Sequence, residues 1–309
     1  MPSQTQGRKI AIIGSSGQVG SPTLKALLAK GIHTITAVQR AESTSTFPHE
    51  VLVKSGDLTD ESFLVSVFQG QDAVVLMPPL SHITSIQEPA VSAAARAVVP
   101  YVFPAEFGPD PFATRLIQGN KLLQDKKKIR DLIEELGVSS WVSITVGPFL
   151  DMNIKSGLWG IDVENRKATI WNGATGKVNT SSVAHTGQVT AAVLSLPDVD
   201  LSQYKNKAFY VPSLHLTQQE LLKAVQNATD TTEQDWDVKH QDIEDAIKDC
   251  NLKIQQNDDM APFVKFFLTH FQENNGGDFE HKVVASEVEK LHMMGLQDET
   301  LESVLKSSL

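Results

Sequence analysis

Several kinds of site are excluded by what this sequence lacks. It has a single cysteine, Cys250, among 309 residues, which excludes an internal disulfide framework and a cysteine-rich zinc site. The nine histidines include no His-x3-His pair, so we expect no metal site. The net charge of −10 and the absence of a basic stripe lead us to expect no nucleic-acid partner.

Long apolar segments are also missing. No run approaches the ~18 residues needed to cross a bilayer, so we expect no membrane partner. Residues 1–7 are short and polar, and a strand is predicted directly after them. We therefore expect no signal peptide and a cytoplasmic location. The overall composition, 41% hydrophobic and 21% charged, is that of an ordinary globular protein.

The first strong pattern is an apolar run followed by three glycines. Residues 10–13 are typical of a strand buried on both faces, and an apolar helix pattern begins at Val19. Between them, Gly14 permits a sharp turn, Gly17 lets a pyrophosphate approach the backbone, and Gly20 allows the helix to pack on the strand. This context indicates a dinucleotide-binding loop at a helix N-terminus. A plain glycine-rich turn is the alternative.

Strands and helices alternate through the first half of the chain. The predicted strands are 10–13, 32–38, 51–54, 73–77, 101–103 and 141–146. The predicted helices are 19–30, 60–69, 83–97 and 121–136. This alternation predicts an α/β fold, a Rossmann-type doubly wound parallel sheet.

The pattern changes after Gly147-Pro148. Isolated strands are predicted at 168–171 and 209–211, and Thr217-Gln-Gln-Glu220 is a capping box that opens a helix. Further helices are predicted near 241–250, 260–273 and 285–307. We therefore predict two domains: residues 1–150, which bind the dinucleotide, and residues 151–309, a smaller mixed α/β lobe. The lobe should face the carboxyl ends of the strands and bind the substrate.

Two polar residues at predicted strand ends bear on the dinucleotide. Arg40 stands twenty residues beyond Gly20, where an NAD-selective site usually has an acidic residue. Arginine cannot accept a bond from a ribose hydroxyl but pairs well with a 2′-phosphate, which favours NADP. A surface arginine without this role is the alternative. Asp57, after the third strand, either contacts the adenine or serves as a turn or capping residue.

A lysine lies in the apolar stripe of the helix predicted over 121–136. The stripe, at steps of four and three residues, consists of Leu122, Lys126, Ile129, Ile133 and Leu136. Lys127 and Lys128 rotate away toward water. Burial lowers the pKa of an inward lysine, so Lys126 would exchange protons near neutral pH. A stem that snorkels at the edge of the stripe is the alternative.

Five segments follow one another along the chain. They are Gly14-Ser-Ser-Gly-Gln-Val-Gly20, Val38-Gln-Arg40, Gly56-Asp57-Leu58, Phe103-Pro-Ala-Glu-Phe-Gly108, and Lys126-Lys-Lys-Ile-Arg130 with Ile133-Glu-Glu-Leu-Gly137. In this order they resemble the NmrA-like branch of the atypical short-chain dehydrogenases. The resemblance is strongest to its isoflavone reductase-like members, which include phenylcoumaran benzylic ether and pinoresinol reductases of plants and fungal relatives. It covers about residues 8 to 155 well and the rest only in general pattern.

The resemblance implies NADPH-dependent reduction, with the nicotinamide between the sheet edge and the smaller lobe. The family's catalytic lysine falls on Lys126. The implied cofactor contacts are Gly14, Ser15, Ser16, Gly17, Gln18, Val19, Gly20, Arg40, Asp57, Leu58, Met77, Pro78, Phe103, Lys126, Gly147, Pro148 and Phe149. Where this chain has Gly147-Pro148-Phe149, the family has Asn-Cys-Phe or a similar triplet, so the contacts of this loop depart from the family pattern.

The sequence contains no Tyr-x3-Lys pair, so the proton donor of ordinary short-chain dehydrogenases is absent and Lys126 is the best candidate. His82 could reach the substrate, but a loop histidine usually has no such role. We predict an NADPH-dependent reductase of a small aromatic or conjugated secondary metabolite, in which Lys126 supplies or accepts the proton.

Two other functions remain open. One is an NmrA-type regulator that senses NADP and binds a protein partner without turnover. The other is a dehydratase or isomerase that uses the same cleft. The inward lysine favours an enzyme, because a pure sensor has no need of one. A homodimer is possible, and the substrate is not predicted because the C-terminal lobe carries no motif.

Overall fold

The computed structural model describes residues 5–309. Residues 1–4, part of the segment in which we expect no signal peptide, lie outside the described residues. The strands are β1 (Lys9–Ile13), β2 (Thr34–Arg40), β3 (Val51–Gly56), β4 (Ala73–Leu76), β5 (Tyr101–Phe103), β6 (Ser140–Thr145), β7 (Ile161–Asp162), β8 (Lys167–Asn172), β9 (Val178–Thr180), β10 (Lys207–Tyr210), β11 (Leu214–Leu216) and β12 (Asp237–Asp242).

Short 3₁₀ turns and thirteen α-helices connect these strands within residues 5–309. The helices are α1 (Gly20–Lys30), α2 (Glu61–Phe68), α3 (Ile83–Arg96), α4 (Thr114–Gly119), α5 (Lys121–Leu136), α6 (Leu150–Asn153), α7 (Val183–Leu194), α8 (Asp198–Leu201), α9 (Gln218–Ala228), α10 (Ile243–Gln255), α11 (Ala261–His270), α12 (Ala285–Met293) and α13 (Leu301–Ser308). Among those described, no helix is long and apolar enough to cross a membrane.

Seven parallel strands form the central sheet, in the order β10-β6-β5-β4-β1-β2-β3. β1 is buried on both faces. Ile10 and Ile12 pack into the core that contains α1 and α7, while Ala11 and Ile13 pack into the core that contains α2, α3 and α5. Helices therefore cover both faces, and the prediction of a doubly wound parallel sheet is confirmed.

The C-terminal lobe has its own core beside this sheet. β12, β8 and β7 form a three-stranded sheet, and β11 pairs with β9. Helices α9, α10, α11 and α13 pack around a cluster centred on Trp159, Phe267 and Phe271. The Trp159 ring meets the edges of both phenylalanines, at centroid distances of 4.7 and 5.9 Å. The capping box Thr217–Glu220 opens α9 as predicted.

Three expectations for the second half are wrong. The strands predicted as isolated at 168–171 and 209–211 belong to sheets: β8 is the middle strand of the small sheet, and β10 pairs parallel with β6 in the central sheet. The single helix predicted over 285–307 is two helices: α12 ends at Met293, just before Gly295 with its φ of 90°, and α13 begins at Leu301.

Helix α7 was not predicted, and its burial explains why. Ten of its residues are buried, and a helix enclosed on nearly all sides shows no apolar stripe. α7 packs against α1 on the central sheet. Both α7 and β10 follow residue 150 in the chain and yet pack with the first domain. The division into residues 1–150 and 151–309 stays a prediction.

Candidate active site

The glycine loop connects β1 to α1 at the carboxyl edge of the sheet. Gly14 has a φ of 85°, and a Cβ there would clash with the carbonyl of Met77. A Cβ on Gly20 would clash with the carbonyl of Gly14. A Cβ on Gly17 would meet only the Gly14 oxygen, at 3.1 Å. The fold therefore requires Gly14 and Gly20, whereas Gly17 leaves an exposed surface open to a ligand.

The other loop residues differ in exposure. Ser15 is buried, Val19 is half-buried, and Ser16 and Gln18 are exposed. Ser16 accepts a hydrogen bond from the Ser45 hydroxyl, 3.1 Å between the oxygens, so the segment after β2 lies beside the loop. The first turn of α1 has no side-chain cap within residues 5–309. The Ser21 amide donates to the Gly17 carbonyl at 2.9 Å and Pro22 has no N–H, so of the first three positions of the helix Gly20 is the one whose amide is open to an anion such as a pyrophosphate.

Arg40 is the last residue of β2, at the same sheet edge. Its side chain is 68% exposed and lies 3.3 Å from the carboxylate of Glu42. An exposed pair of this kind is weak, so Glu42 would not keep the guanidinium from a phosphate. Sequence reasoning did not consider Glu42, although it stands only two residues beyond Arg40.

Asp57 and Leu58 follow β3. Asp57 accepts hydrogen bonds from the Thr59 amide at 2.8 Å and hydroxyl at 2.7 Å, and these bonds lower the pKa of its carboxyl. Asp57 thus holds a turn, which is one of the two roles considered for it. Leu58 is buried in the core with α2 and α3. Asp60 caps α2.

Three further predicted contacts lie at the ends of β4 and β5. Met77 is buried, and its amide donates to the Ile13 carbonyl at 2.9 Å. Pro78 is also buried. Phe103 is fully buried in the core shared with α1 and α7. His82, by contrast, is exposed in the turn before α3.

Lys126 is buried on α5, with 7% of its surface exposed, which favours the inward position over the snorkelling alternative. Among residues 5–309 its Nζ makes no hydrogen bond or ion pair. It lies 3.9 Å from the position of a Cβ on Gly108, and that position is 3.8 Å from the Gly147 carbonyl oxygen. Nζ is therefore at the carboxyl edge of the sheet, between the loops that follow β5 and β6.

The electrostatic surroundings of Lys126 fit a proton-exchanging group. Burial lowers the pKa of its ammonium, Glu106 partly opposes this, and Arg130 adds to it. Lys127 and Lys128 are exposed and pair with Asp131 and Asp125. The ends of the predicted stripe differ from the expectation: Leu122 is half-buried and Leu136 is exposed, while Leu123 and Arg130 are buried.

Sequence reasoning missed a buried ion pair between Glu106 and Arg130, which are 3% and 5% exposed. Arg130 also donates to the Pro111 carbonyl at 2.7 Å. From α3, the Gln87 side chain accepts from the Ala105 amide at 2.8 Å. These contacts fix the segment 103–108 between α3 and α5. The four-residue spacing of Lys126 and Arg130 was the signal in the sequence that Arg130 is also buried, because this spacing places both residues on one helix face.

The Gly147-Pro148-Phe149 loop joins the sheet edge to the lobe. Gly147 has a φ of 78°, and a Cβ there would clash with the Asn179 carbonyl. The Gly147 amide donates to the Gly108 carbonyl at 2.9 Å. The Pro148 carbonyl accepts from the Thr180 hydroxyl at 2.5 Å. The loop thus bridges Gly108 and β9, next to Lys126.

A polar cleft of about 710 Å³ lies beside this region and is called here the lobe cleft. Its lining residues fall within the segments 110–115, 175–177 and 272–282. On its wall, the buried Asp110 accepts from Tyr210 at 2.8 Å and pairs with Lys282 at 2.5 Å. These bonds tie the loop after Gly108 to the lobe. Within residues 5–309, no group of three or more His, Cys, Asp or Glu side chains is arranged to hold a metal.

The model of the NmrA-like family matches residues 6–299, and the chain belongs to that family. The resemblance inferred from the five segments is confirmed. Over 306 residues the chain is 26% identical to oxidoreductase aprR of Aspergillus flavus, covering 96% of this chain and 99% of that protein.

Two solved structures share the fold. One is described as AtPrR2 with NADP+ and (+)pinoresinol; it has a TM-score of 0.77 and 21% identity, and the match covers 98% of this chain and 99% of that one. The other is an isoflavone reductase with a TM-score of 0.76 and 20% identity, with coverage of 98% and 100%. Both match across the sheet and the lobe together.

Proposed function

We propose that this protein is an NADPH-dependent reductase of a small aromatic or conjugated substrate. The observation that carries the proposal is the buried residue Lys126, whose ammonium lies between the Gly108 and Gly147 loops and makes no ion pair within residues 5–309. A charged side chain without an ion-pair partner lowers the stability of the fold when its residue is buried. A role in the reaction would explain why a lysine stands at position 126 despite this cost. A regulator that only bound the dinucleotide would have no use for this charge.

The residues present fit NADPH. Gly17 leaves the loop surface open, and the Gly20 amide at the start of α1 would donate to the pyrophosphate. Arg40, exposed at the end of β2, would pair with the 2′-phosphate. The similar structure of AtPrR2 contains NADP+, which supports this choice. When bound, NADPH supplies the hydride.

Lys126 then has a defined task. Its Nζ holds a proton and donates it to the substrate oxygen on which negative charge develops, or accepts one in the reverse direction. The lowered pKa makes this ammonium a stronger acid than an exposed lysine. The Gly147–Phe149 loop would contact the nicotinamide, because it lies at the carboxyl edge beside Nζ.

The C-terminal lobe would bind the substrate. The lobe cleft opens beside Asp110, two residues beyond Gly108, and is closed on the other side by segments of the lobe. In this proposal residues 1–150 hold the dinucleotide and residues 151–309 select the substrate. A homodimer is compatible with this arrangement and is not required by it.

The test is to incubate the purified protein and NADPH with aromatic enones, ketones and benzylic ethers and to follow NADPH absorbance. Consumption with at least one member supports the reductase. Binding of NADPH without consumption and without any conversion of substrate points to the sensor instead. Conversion of substrate without net NADPH consumption identifies a dehydratase or isomerase.

A further inference from the structure

A histidine at the end of α11, in the C-terminal lobe, is close enough to Lys126 for the lysine charge to act on it, and α11 packs on α4 and the start of α5. Phe266 packs against the cluster that contains Leu116 and Leu123, on α4 and α5. One turn of α11 further on, Thr269 accepts a hydrogen bond from the Asn120 amide group at 3.2 Å. Asn120 directly precedes α5. The next residue after Thr269 is His270, which is 1% exposed.

The tautomer of His270 is fixed by its neighbour. Its Nδ1 lies 2.5 Å from the Phe266 carbonyl oxygen, and a carbonyl can only accept, so Nδ1 carries the hydrogen. Nε2 is then a lone-pair acceptor. It is buried and has no hydrogen-bond partner within residues 5–309. A buried acceptor without a donor is destabilising, which indicates that a donor belongs there.

Lys126 is the complementary group. Its ammonium has three N–H donors and makes no hydrogen bond within residues 5–309. Burial, chiefly, and the nearby Lys126 charge lower the pKa of His270 to about 4. The imidazole is therefore neutral at pH 7 and available as an acceptor. The other charged groups that act on Lys126 are Glu106 and Arg130, which pair with each other.

We propose that His270 is a positioning residue for Lys126, accepting a hydrogen bond from its ammonium at Nε2 in the working site. This inference rests on the proposed function, in which Lys126 transfers the proton. A bond to the charged form favours that form, so His270 keeps Lys126 protonated at neutral pH despite burial. It also orients the remaining N–H groups toward the Gly108 and Gly147 loops, where the substrate oxygen would lie.

The test compares His270→Leu, which removes the acceptor, with His270→Gln, whose side-chain oxygen can replace it. The reductase rate should fall as pH rises through the pKa of Lys126. In His270→Leu this fall should occur about one pH unit lower than in the wild type, the effect of losing one hydrogen bond. In His270→Gln most of that shift should be recovered. NADPH affinity should change less than about threefold, because the cofactor contacts lie elsewhere.

A second measurement does not depend on turnover. In protein labelled with ¹⁵N at the lysine side chains, an NMR titration gives the pKa of Lys126, with Lys126→Met assigning the signal. His270→Leu should lower that pKa by about one unit. The matched control is His185→Leu. His185 is also buried and its Nδ1 has no hydrogen-bond partner in the part of the chain that the structure describes, but its charged neighbours are Glu299, Asp298 and His292. It should leave the Lys126 titration unchanged.

The outcomes separate the two proposals. An unchanged Lys126 pKa in a folded His270→Leu protein shows that His270 has only a packing role. A shifted pKa in a protein that reduces no substrate supports the pairing and rejects the reductase. If His270→Leu does not fold, His270→Ala measured by the same titration must give the same downward shift, and an unchanged pKa there overturns the proposal.

Discussion

Glu106 and Arg130 form a buried ion pair that joins the loop after β5 to α5, the helix that carries Lys126. The pair holds residues 103–108, one of the five segments that resemble the family, against the helix that presents the candidate proton donor. The position of Lys126 at the sheet edge therefore depends on a contact between two other charged residues.

Breaking this pair from one side should be strongly destabilising. Glu106→Gln or Arg130→Met leaves one charge buried without a partner, and each should lower the free energy of unfolding by about 3–5 kcal/mol. Combining the two substitutions should recover part of the loss, since both charges are then gone. Denaturation in urea measures this. Lys127→Ala, which removes the exposed pair with Asp131, should cost less than about 1 kcal/mol; comparable losses in all variants would contradict a buried pair.

Gly17 and Gly20 should respond differently to substitution. Gly17→Val places a side chain in the space left for the pyrophosphate, so the protein should fold but fail to bind NADPH. Gly20→Ala places a Cβ against the Gly14 carbonyl. This substitution should therefore lower the thermal midpoint of unfolding in addition to weakening NADPH binding. Circular dichroism and a fluorescence titration with NADPH separate the two effects. Wild-type affinity in Gly17→Val would mean that the loop is only a turn.

Arg40 should determine the choice of cofactor. A charge-assisted contact to the 2′-phosphate should make NADPH bind about 10–100 times more tightly than NADH. Arg40→Ala should narrow this difference mainly by weakening NADPH binding. Titration of both nucleotides against the intrinsic fluorescence of the four tryptophans measures it. Equal dissociation constants in the wild type would remove Arg40 from the cofactor site.

Lys126 should be needed for turnover more than for binding. Lys126→Ala should lower kcat by about 10²–10⁴ while changing NADPH affinity only modestly. Lys126→Met retains the apolar stem, so a defect there is due to the lost charge and not to lost packing. Lys127→Ala and Lys128→Ala, on the exposed side of α5, should turn over normally. A wild-type rate in Lys126→Met would make Lys126 a structural lysine.

Stability should fall in mild acid. The pKa of His270 and the pKa of His33 are each lowered by burial from 6.5 to about 4. As pH falls below 6.5 the unfolded chain takes up these protons first, so the free energy of unfolding decreases until about pH 4. Urea denaturation at a series of pH values should show this decrease in the free energy of unfolding. His270→Leu should make the free energy of unfolding less dependent on pH between 6.5 and 4. An identical pH dependence in His270→Leu would exclude His270 as its source.

The sequence by itself determined the first half of the fold. The apolar run of β1, the spaced glycines after it and the regular alternation of strands and helices are local patterns, and they predicted the order and type of the elements up to β6, except for the short helix α4, which was not predicted. The bounds of α5 agree with the predicted 121–136, and the spacing along the helix placed Lys126 in its apolar stripe, because a helix face is a property of neighbouring residues. Whether Lys126 was buried or snorkelled was left open by that spacing.

Only the tertiary structure decided the rest. α7 shows no apolar stripe because it is enclosed on nearly all sides. β10 is a four-residue strand, and its position beside β6 depends on pairing between segments that are far apart in the sequence. The partners of buried polar groups are also distant in sequence: Glu106 pairs with Arg130, and His270 is brought toward Lys126 by the packing of α11 on α4 and the start of α5. Short-range periodicity encodes which face of an element is buried, whereas the contacts across that face depend on how separate elements pack.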